Sequence, residues 1–249
     1  MVSGLDDVVE GSLAAIARLY SAVFDYVVPV SKPEVAEMMK LYENCQRMVC
    51  IAYANEMADA CVPHGIDPFE VCEAASTKPF GYTPFKPSLG VGGHCIPVNP
   101  FYLLKNCSFP LLEAATESMR SRPARIARRA IDNLADDETH MAVPSQSPRR
   151  QARVLVVGMG FKPGQSNLVN SPGLELAKSF SVSGKVDVWW ADPLLRQEAI
   201  PQIPRLDDEC WDKETLETFD MVIVSFRQAG MNLEVLGDLF GVRVEMWCQ

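Results

Sequence analysis

Residues 90–99 read Gly-Val-Gly-Gly-His-Cys-Ile-Pro-Val-Asn. Cys95 stands just past a run of small residues. Glycine has no Cβ, so backbone and ligand can approach closely there and positive φ is tolerated. A thiol in such a place is accessible and surrounded by free backbone N–H groups, which favour thiolate and oxyanion. Cys95 is the best candidate nucleophile in the chain. The competing reading is a tight turn with a buried thiol, because a free cysteine is most often a small core residue. Lys40 and Asn44 lie at i and i+4 of a long helical pattern and therefore share a face.

A second motif, Gly158-Met-Gly160-Phe-Lys162-Pro-Gly164, follows an all-apolar strand and resembles a dinucleotide fingerprint. Its spacing is GxGxxxG, and Pro163 interrupts the place where a phosphate-binding helix should begin, whereas a true fingerprint runs GxGxxG straight into a helix. A loop that brings Lys162 to a phosphate, with lysine acting as a point charge, fits better than a cofactor cradle. The plain alternative is a solvated lysine on a tight turn.

The elements that position these residues follow from pattern. Residues 11–24 form an amphipathic helix and 25–30 a short strand-like run; together they cannot close a core. Ser31-Lys-Pro-Glu34 reads as a capping box with proline in the first turn. It opens a long helix to about Cys61, so apolar around its circumference that it is expected to be buried at a domain or subunit junction. Asp67 caps a short helix, Phe69–Ser76. Residues 77–100 are an aromatic-containing loop, long enough to suggest a functional role. Helices follow at 101–104 and 111–133, then a polar linker at 136–151 with Pro144 and Pro148. Strands at 153–158, 186–190, 219–225 and 242–247 alternate with helices at 172–183 and 233–240. That alternation predicts a parallel, Rossmann-like sheet.

Bulk properties narrow the class. The 249 residues are 48% hydrophobic, which suits one large or two medium domains. A net charge of −9 makes nucleic acid a poor partner. No apolar run reaches the roughly 18 residues of a membrane span, and the first residues lack the pattern of a signal peptide. Eight scattered cysteines without CxxC spacing read as reduced thiols in a cytoplasmic protein. His64, His94 and His140 are too far apart in sequence to suggest a metal set. The Arg120, Arg122 and Arg125 cluster could reach phosphate across a dimer, although a solvated helix face explains it more simply.

Several ordered segments resemble the UDP-glucose/GDP-mannose dehydrogenase family. They are Glu37-Met-Met-Lys40-Leu-Tyr-Glu-Asn44, Asn55-Glu56, Thr77-Lys-Pro-Phe-Gly81 and Gly90-Val-Gly-Gly-His-Cys-Ile-Pro-Val-Asn-Pro100. Ile96–Leu103 is most similar to the UDP-N-acetylglucosamine and UDP-N-acetylmannosamine 6-dehydrogenase branch. Residues 154–193 resemble the family's C-terminal UDP-binding domain. The resemblance implies an α/β protein: a remnant of an NAD-binding domain at 1–30, a central all-helical dimerisation and catalytic domain at 31–135, the linker, and a Rossmann-like UDP-binding domain at 152–249.

It also implies a reaction, in which the C6 alcohol of a UDP-sugar is oxidised to a carboxylate by two NAD⁺. Cys95 would add to the C6 aldehyde, and a thioester would then be hydrolysed, splitting a four-electron oxidation into steps. Lys40 and Asn44 would hold the oxyanion and orient water, as a cation and an amide on one helical face can. Phe85 and Gly92 would line the sugar-nucleotide pocket, and Lys162 would meet the UDP. A homodimer built on the long helix is implied as well.

Three positions depart from the family pattern. Asn99 replaces the usual Asp four residues after the nucleophile and cannot accept a proton. Val98 and Val169 stand where the family often carries Lys and Arg. With residues 1–30 matching only the end of the NAD-binding domain, the chain by itself is not expected to hold NAD in the usual way, and Leu13, Ile16, Leu19 and Phe24 should present apolar surface. The alternative function is a non-catalytic nucleotide-sugar-binding or dimerisation module.

Overall fold

A computed structural model describes residues 1–140 and 150–248. Helix α1 (Ser12–Ser21) packs with two short parallel strands, β1 (Val2–Ser3) and β2 (Pro29–Val30), and buries none of its residues. Leu19 and Phe24 are exposed as expected, whereas Leu13 and Ile16 are half-buried.

Helix α2 spans Pro33–Cys61. The expected capping box does not form: the N-cap is Lys32, with no side-chain cap bond. Pro33 has no N–H to satisfy and its ring already sets a helical φ, so the helix starts without the Ser31 hydroxyl. Only one stripe of α2 is buried, Asn44, Cys45, Met48, Ala52, Asn55, Ala58 and Cys61. Val35, Met38, Tyr42, Tyr53 and Met57 remain exposed on other faces. Asp67 accepts from Phe69 N at 2.9 Å and caps α3 (Pro68–Ser76), as its sequence position predicts. After an extended loop come α4 (Asn99–Leu104) and α5 (Pro110–His140).

Helix α5 runs through residues 136–140, which the sequence reading assigned to a linker. No glycine or proline intervenes there, so the helix continues; the rest of that segment, 141–149, lies outside the described residues. Its two halves serve different cores. Leu112, Ala115 and Met119 pack against Cys45, Met48 and Ala52 of α2. Ile126, Ala127, Ala130, Ile131 and Leu134 join the core beneath the sheet.

That sheet has four parallel strands in the order β4–β3–β5–β6: β3 (Ala152–Val157), β4 (Val186–Ala191), β5 (Met221–Val224) and β6 (Arg243–Met246). Helix α6 (Pro172–Ser183) and the second half of α5 cover one face through Leu176, Ala177 and Phe180. Leu216 of the short helix α7 (Lys213–Leu216), with Phe219 and Leu236, covers the other. Strands covered on both faces read as continuous apolar runs, as Val154–Val157 does. The helix expected at 233–240 is only a 3₁₀ stretch, Glu234–Asp238, consistent with Gly237 in its centre.

Candidate active site

Cys95 is an exposed free thiol at the end of the glycine-rich loop. Its carbonyl accepts from Val98 N at 3.1 Å and from Asn99 N at 2.8 Å, closing the turn that leads into α4. Asn99 thus sits one turn beyond the thiol. Across the helical layer, buried Asn44 of α2 donates from Nδ2 to Asn99 Oδ1 at 2.5 Å. The helix that carries Asn44 is therefore tied directly to the turn that carries Cys95. Lys40 lies one turn earlier on α2 and is exposed. Its Nζ is 3.4 Å from Glu43 Oε2, while Arg47 Nη2 is 2.8 Å from Glu43 Oε1. Arg47 and Lys40 together hold the Glu43 carboxyl below the ordinary glutamate range. Burial pushes the thiols of Cys45 and Cys248 up, away from reactivity; Cys95 and Cys107 are the exposed cysteines.

The base of the loop is held by a buried polar cluster. Asn55 Oδ1 accepts from Ser88 N at 2.7 Å, and Ser88 Oγ donates to Gly90 O at 3.2 Å. Arg122 Nε donates to Ser88 O at 3.2 Å, and its guanidinium forms an ion pair with Asp59. Arg122 is fully buried, which corrects the solvated-face reading for this residue; Arg120 and Arg125 are exposed. Burial pushes the Arg122 guanidinium down from its ordinary value, and Asp59 opposes that. Arg122 and Arg129 lie 5.1 and 5.2 Å from the ring centroid of Trp247, which follows β6. Cation–π contact between such groups is favourable, the more so when they are desolvated.

The loop tip meets the segment after β3. A Cβ on Gly92 would stand 2.7 Å from Phe161 Cβ and 3.0 Å from Pro172 Cδ. Gly93 has φ +93, and a Cβ there would meet the Phe161 ring at 2.8 Å. Glycine is required at both by close approach, and at Gly93 by backbone conformation too. Lys162 is exposed, with Nζ 5.7 Å from the centroid of the Phe161 ring, so Phe161 bridges Lys162 to the nucleophile loop. Phe85 is placed elsewhere. It lines a cavity of about 710 Å³ between α2, α3 and residues 81–87, with Val49, Tyr53, Met57 and Tyr82. Cys95, Lys40 and Lys162 are not among the residues that line it.

The turn at 158–160 has no free cradle for a pyrophosphate. Buried Asp192, at the end of β4, accepts at Oδ2 from Met159 N (2.9 Å), Gly160 N (3.3 Å) and Gln228 Nε2 (3.2 Å). Its Oδ1 accepts from Leu194 N at 2.9 Å. The carboxylate occupies the N–H groups that a dinucleotide would need, and α6 begins only at Pro172. These residues do not fit NAD. Asp192, Asn55 and Arg122 carry roles that sequence reasoning missed. An acidic residue directly after an apolar strand was the one signal available, for Asp192.

Over 181 residues the chain is 33% identical to the UDP-N-acetyl-D-mannosamine dehydrogenase of Pyrococcus horikoshii, covering 72% of this chain and 41% of that protein. It is 32% identical over 209 residues to the UDP-N-acetyl-D-glucosamine 6-dehydrogenase of Pseudomonas aeruginosa, covering 79% and 46%. Residues 34–118 match the central domain of the UDP-glucose/GDP-mannose dehydrogenase family. Residues 34–118 belong to that family. The solved structure of the Pyrococcus horikoshii UDP-D-ManNAc dehydrogenase superposes with a TM-score of 0.75 at 25% identity, over 96% of this chain and 57% of that one. The chain spans less than half the length of these two curated relatives. The central-domain match includes Lys40, Asn44, Phe85, Gly92, Cys95 and Asn99, whereas Lys162 lies outside it.

Proposed function

We propose that the chain carries the covalent-catalysis and nucleotide-binding portion of an NAD-dependent nucleotide-sugar 6-dehydrogenase. Its substrate would be a UDP-N-acetylhexosamine or UDP-glucose and its product the uronic acid. The observation that carries this reading is the exposed thiol of Cys95 on a turn closed by Asn99 and tied to Asn44. The names of the two curated relatives favour the N-acetylhexosamine.

In this reaction Cys95 Sγ, as thiolate, adds to the C6 aldehyde. The S–C bond forms and the carbonyl π pair moves onto oxygen. Asn44 has a second Nδ2 proton beyond the one given to Asn99, and Lys40 can leave the exposed Glu43 pair. Both then offer charge or a proton to that oxyanion. The hydride acceptor of such a reaction would be NAD, which the turn at 158–160 does not fit. In thioester hydrolysis Asn99 can orient water through its amide but cannot take the water's proton. Lys162, whose Nζ lies 5.7 Å from the ring centroid of Phe161, would supply positive charge for a diphosphate. A homodimer through the exposed apolar face of α2, in a cytoplasmic setting, completes the proposal.

Asn99 also favours a second reading, a nucleotide-sugar-binding module without turnover. Peptide-resolved alkylation with iodoacetamide tests the first. Cys95 should label faster than Cys107, and UDP-N-acetylglucosamine should protect it. Equal labelling of the two in the free protein, with protection of Cys95 by UDP-N-acetylglucosamine, would leave the binding module as the reading of the site; no protection would remove both readings.

A further inference from the structure

Asn170 is the one non-glycine residue with positive φ (50°) among the described residues. Asparagine tolerates that region better than other side chains, but a protein still needs a reason to place one there. The reason is visible in its partners. Asn170 Nδ2 donates to Gly93 O at 3.0 Å, and the carbonyl of the preceding Val169 accepts from Gly93 N at 3.1 Å. Both backbone polar groups of Gly93, two residues before Cys95, are thus satisfied by this one segment of the C-terminal half.

His94, beside the thiol, is 3.0 Å from Asn167 Nδ2 through its Nε2 and packs edge-on against Phe161. The 167–171 segment is itself anchored at its end. Ser171 is buried, donates from Oγ to Met159 O at 2.5 Å, and caps α6 by accepting from Leu174 N at 3.2 Å.

We infer that Asn170 is a positioning residue that couples the C-terminal domain to the nucleophile loop. A nucleoside diphosphate held at Lys162 is then felt at Cys95 through Phe161 and Asn170. The inference rests on the nucleotide-binding role proposed above. Phe161 is its centre: it adjoins Lys162 in sequence, lies under the Lys162 ammonium and fills the space against Gly92, Gly93 and His94. Loop order thereby becomes a consequence of nucleotide binding, so that the thiol is aimed when a nucleotide-bearing substrate is present.

Hydrogen exchange of the amides in residues 90–99, measured on the full chain with UDP as the probe, tests this. Asn170→Gly keeps the left-handed conformation without steric cost and removes the donor. Asn170→Asp keeps the shape but turns an acceptor toward Gly93 O. In both, exchange at Gly93–Cys95 should rise about fivefold, the factor that goes with one net hydrogen bond, while α2 and β3 exchange as in the wild type.

UDP, with binding followed by calorimetry, should slow loop exchange in the wild type. In Asn170→Gly, UDP should still bind but no longer protect the loop, a separation that a general loss of structure would not produce. Unchanged loop exchange in both variants, or equal protection by UDP in Asn170→Gly and wild type, would overturn the coupling. If UDP binds neither protein, the nucleotide-binding role falls and the coupling with it, while loop exchange in the two variants alone decides whether Asn170 positions the loop.

Discussion

Asn44 donates its side-chain amide to Asn99 at 2.5 Å across 55 positions of sequence, and both groups are amides. The pair joins α2 to the turn of Cys95 yet contains no group able to accept a proton. Asn44→Ala leaves the half-buried Asn99 Oδ1 without its donor and should cost about 1 kcal/mol, read by urea unfolding. Asn99→Asp keeps the acceptor for Asn44 and introduces a base. Under the proposed mechanism, that variant should hydrolyse a thioester formed on Cys95 with p-nitrophenyl acetate about 100-fold faster than wild type, the low end of general-base contributions. A variant no faster than wild type would mean that water activation does not limit the reaction at this position.

Tyr82 gives a pH signature at the cavity beside α2. Its hydroxyl is 3.4 Å from Cys72 Sγ, and that bond, with burial, pushes the phenol up to about 12. The folded value lies above that of an unfolded tyrosine, near 10. The stabilisation is therefore complete below about pH 10 and is lost as pH rises from there through about 12. Phenolate absorbance, taken as the difference between wild type and Tyr82→Phe, should show the late titration. In Cys72→Ala the same phenol should titrate nearer its ordinary value.

Asp192 should prove structural and not cofactor-linked. Asp192→Ala strands the N–H groups of Met159, Gly160 and Leu194, while Gln228 Nε2 keeps Gln165 O at 3.1 Å. A loss of about 3–5 kcal/mol is expected from several buried donors unpaired at once. Thermal unfolding by circular dichroism measures it; a melting point within a degree of wild type would show that the turn does not depend on the carboxylate.

The exposed apolar residues of α2 set the expectation for association. Tyr53 is 64% exposed and Met57 45% exposed, on a helix whose other stripe is closed by α5. Wild type should sediment as a dimer at micromolar concentration. Tyr53→Arg and Met57→Glu should sediment as monomers with unaltered helix content, because a charge in an apolar interface is costly to desolvate. Monomeric wild type would remove the dimer from the proposal.

Local pattern carried much of the architecture. The apolar runs at Val154 and Met221, separated by helical and turn signals, specify a parallel sheet because strands buried on both faces need no alternation. Asp67 announced its cap, and Lys40 and Asn44 announced a shared face, since helix geometry is local. Several family segments in order made the resemblance legible from Glu37 to Asp192.

The tertiary structure decided what those residues touch. Sequence spacing cannot say that Asn44 meets Asn99, that Arg122 leaves solvent to pair with Asp59, or that Phe85 faces a cavity that Cys95 does not line. Each is a long-range contact fixed by how α2, α5 and the sheet pack. The glycine turn at 158–160 shows the difference most plainly. Its composition left a phosphate cradle open to consideration, and a carboxylate 32 residues away fills it, because buried N–H groups must find an acceptor and Asp192 is the one the fold brings to them.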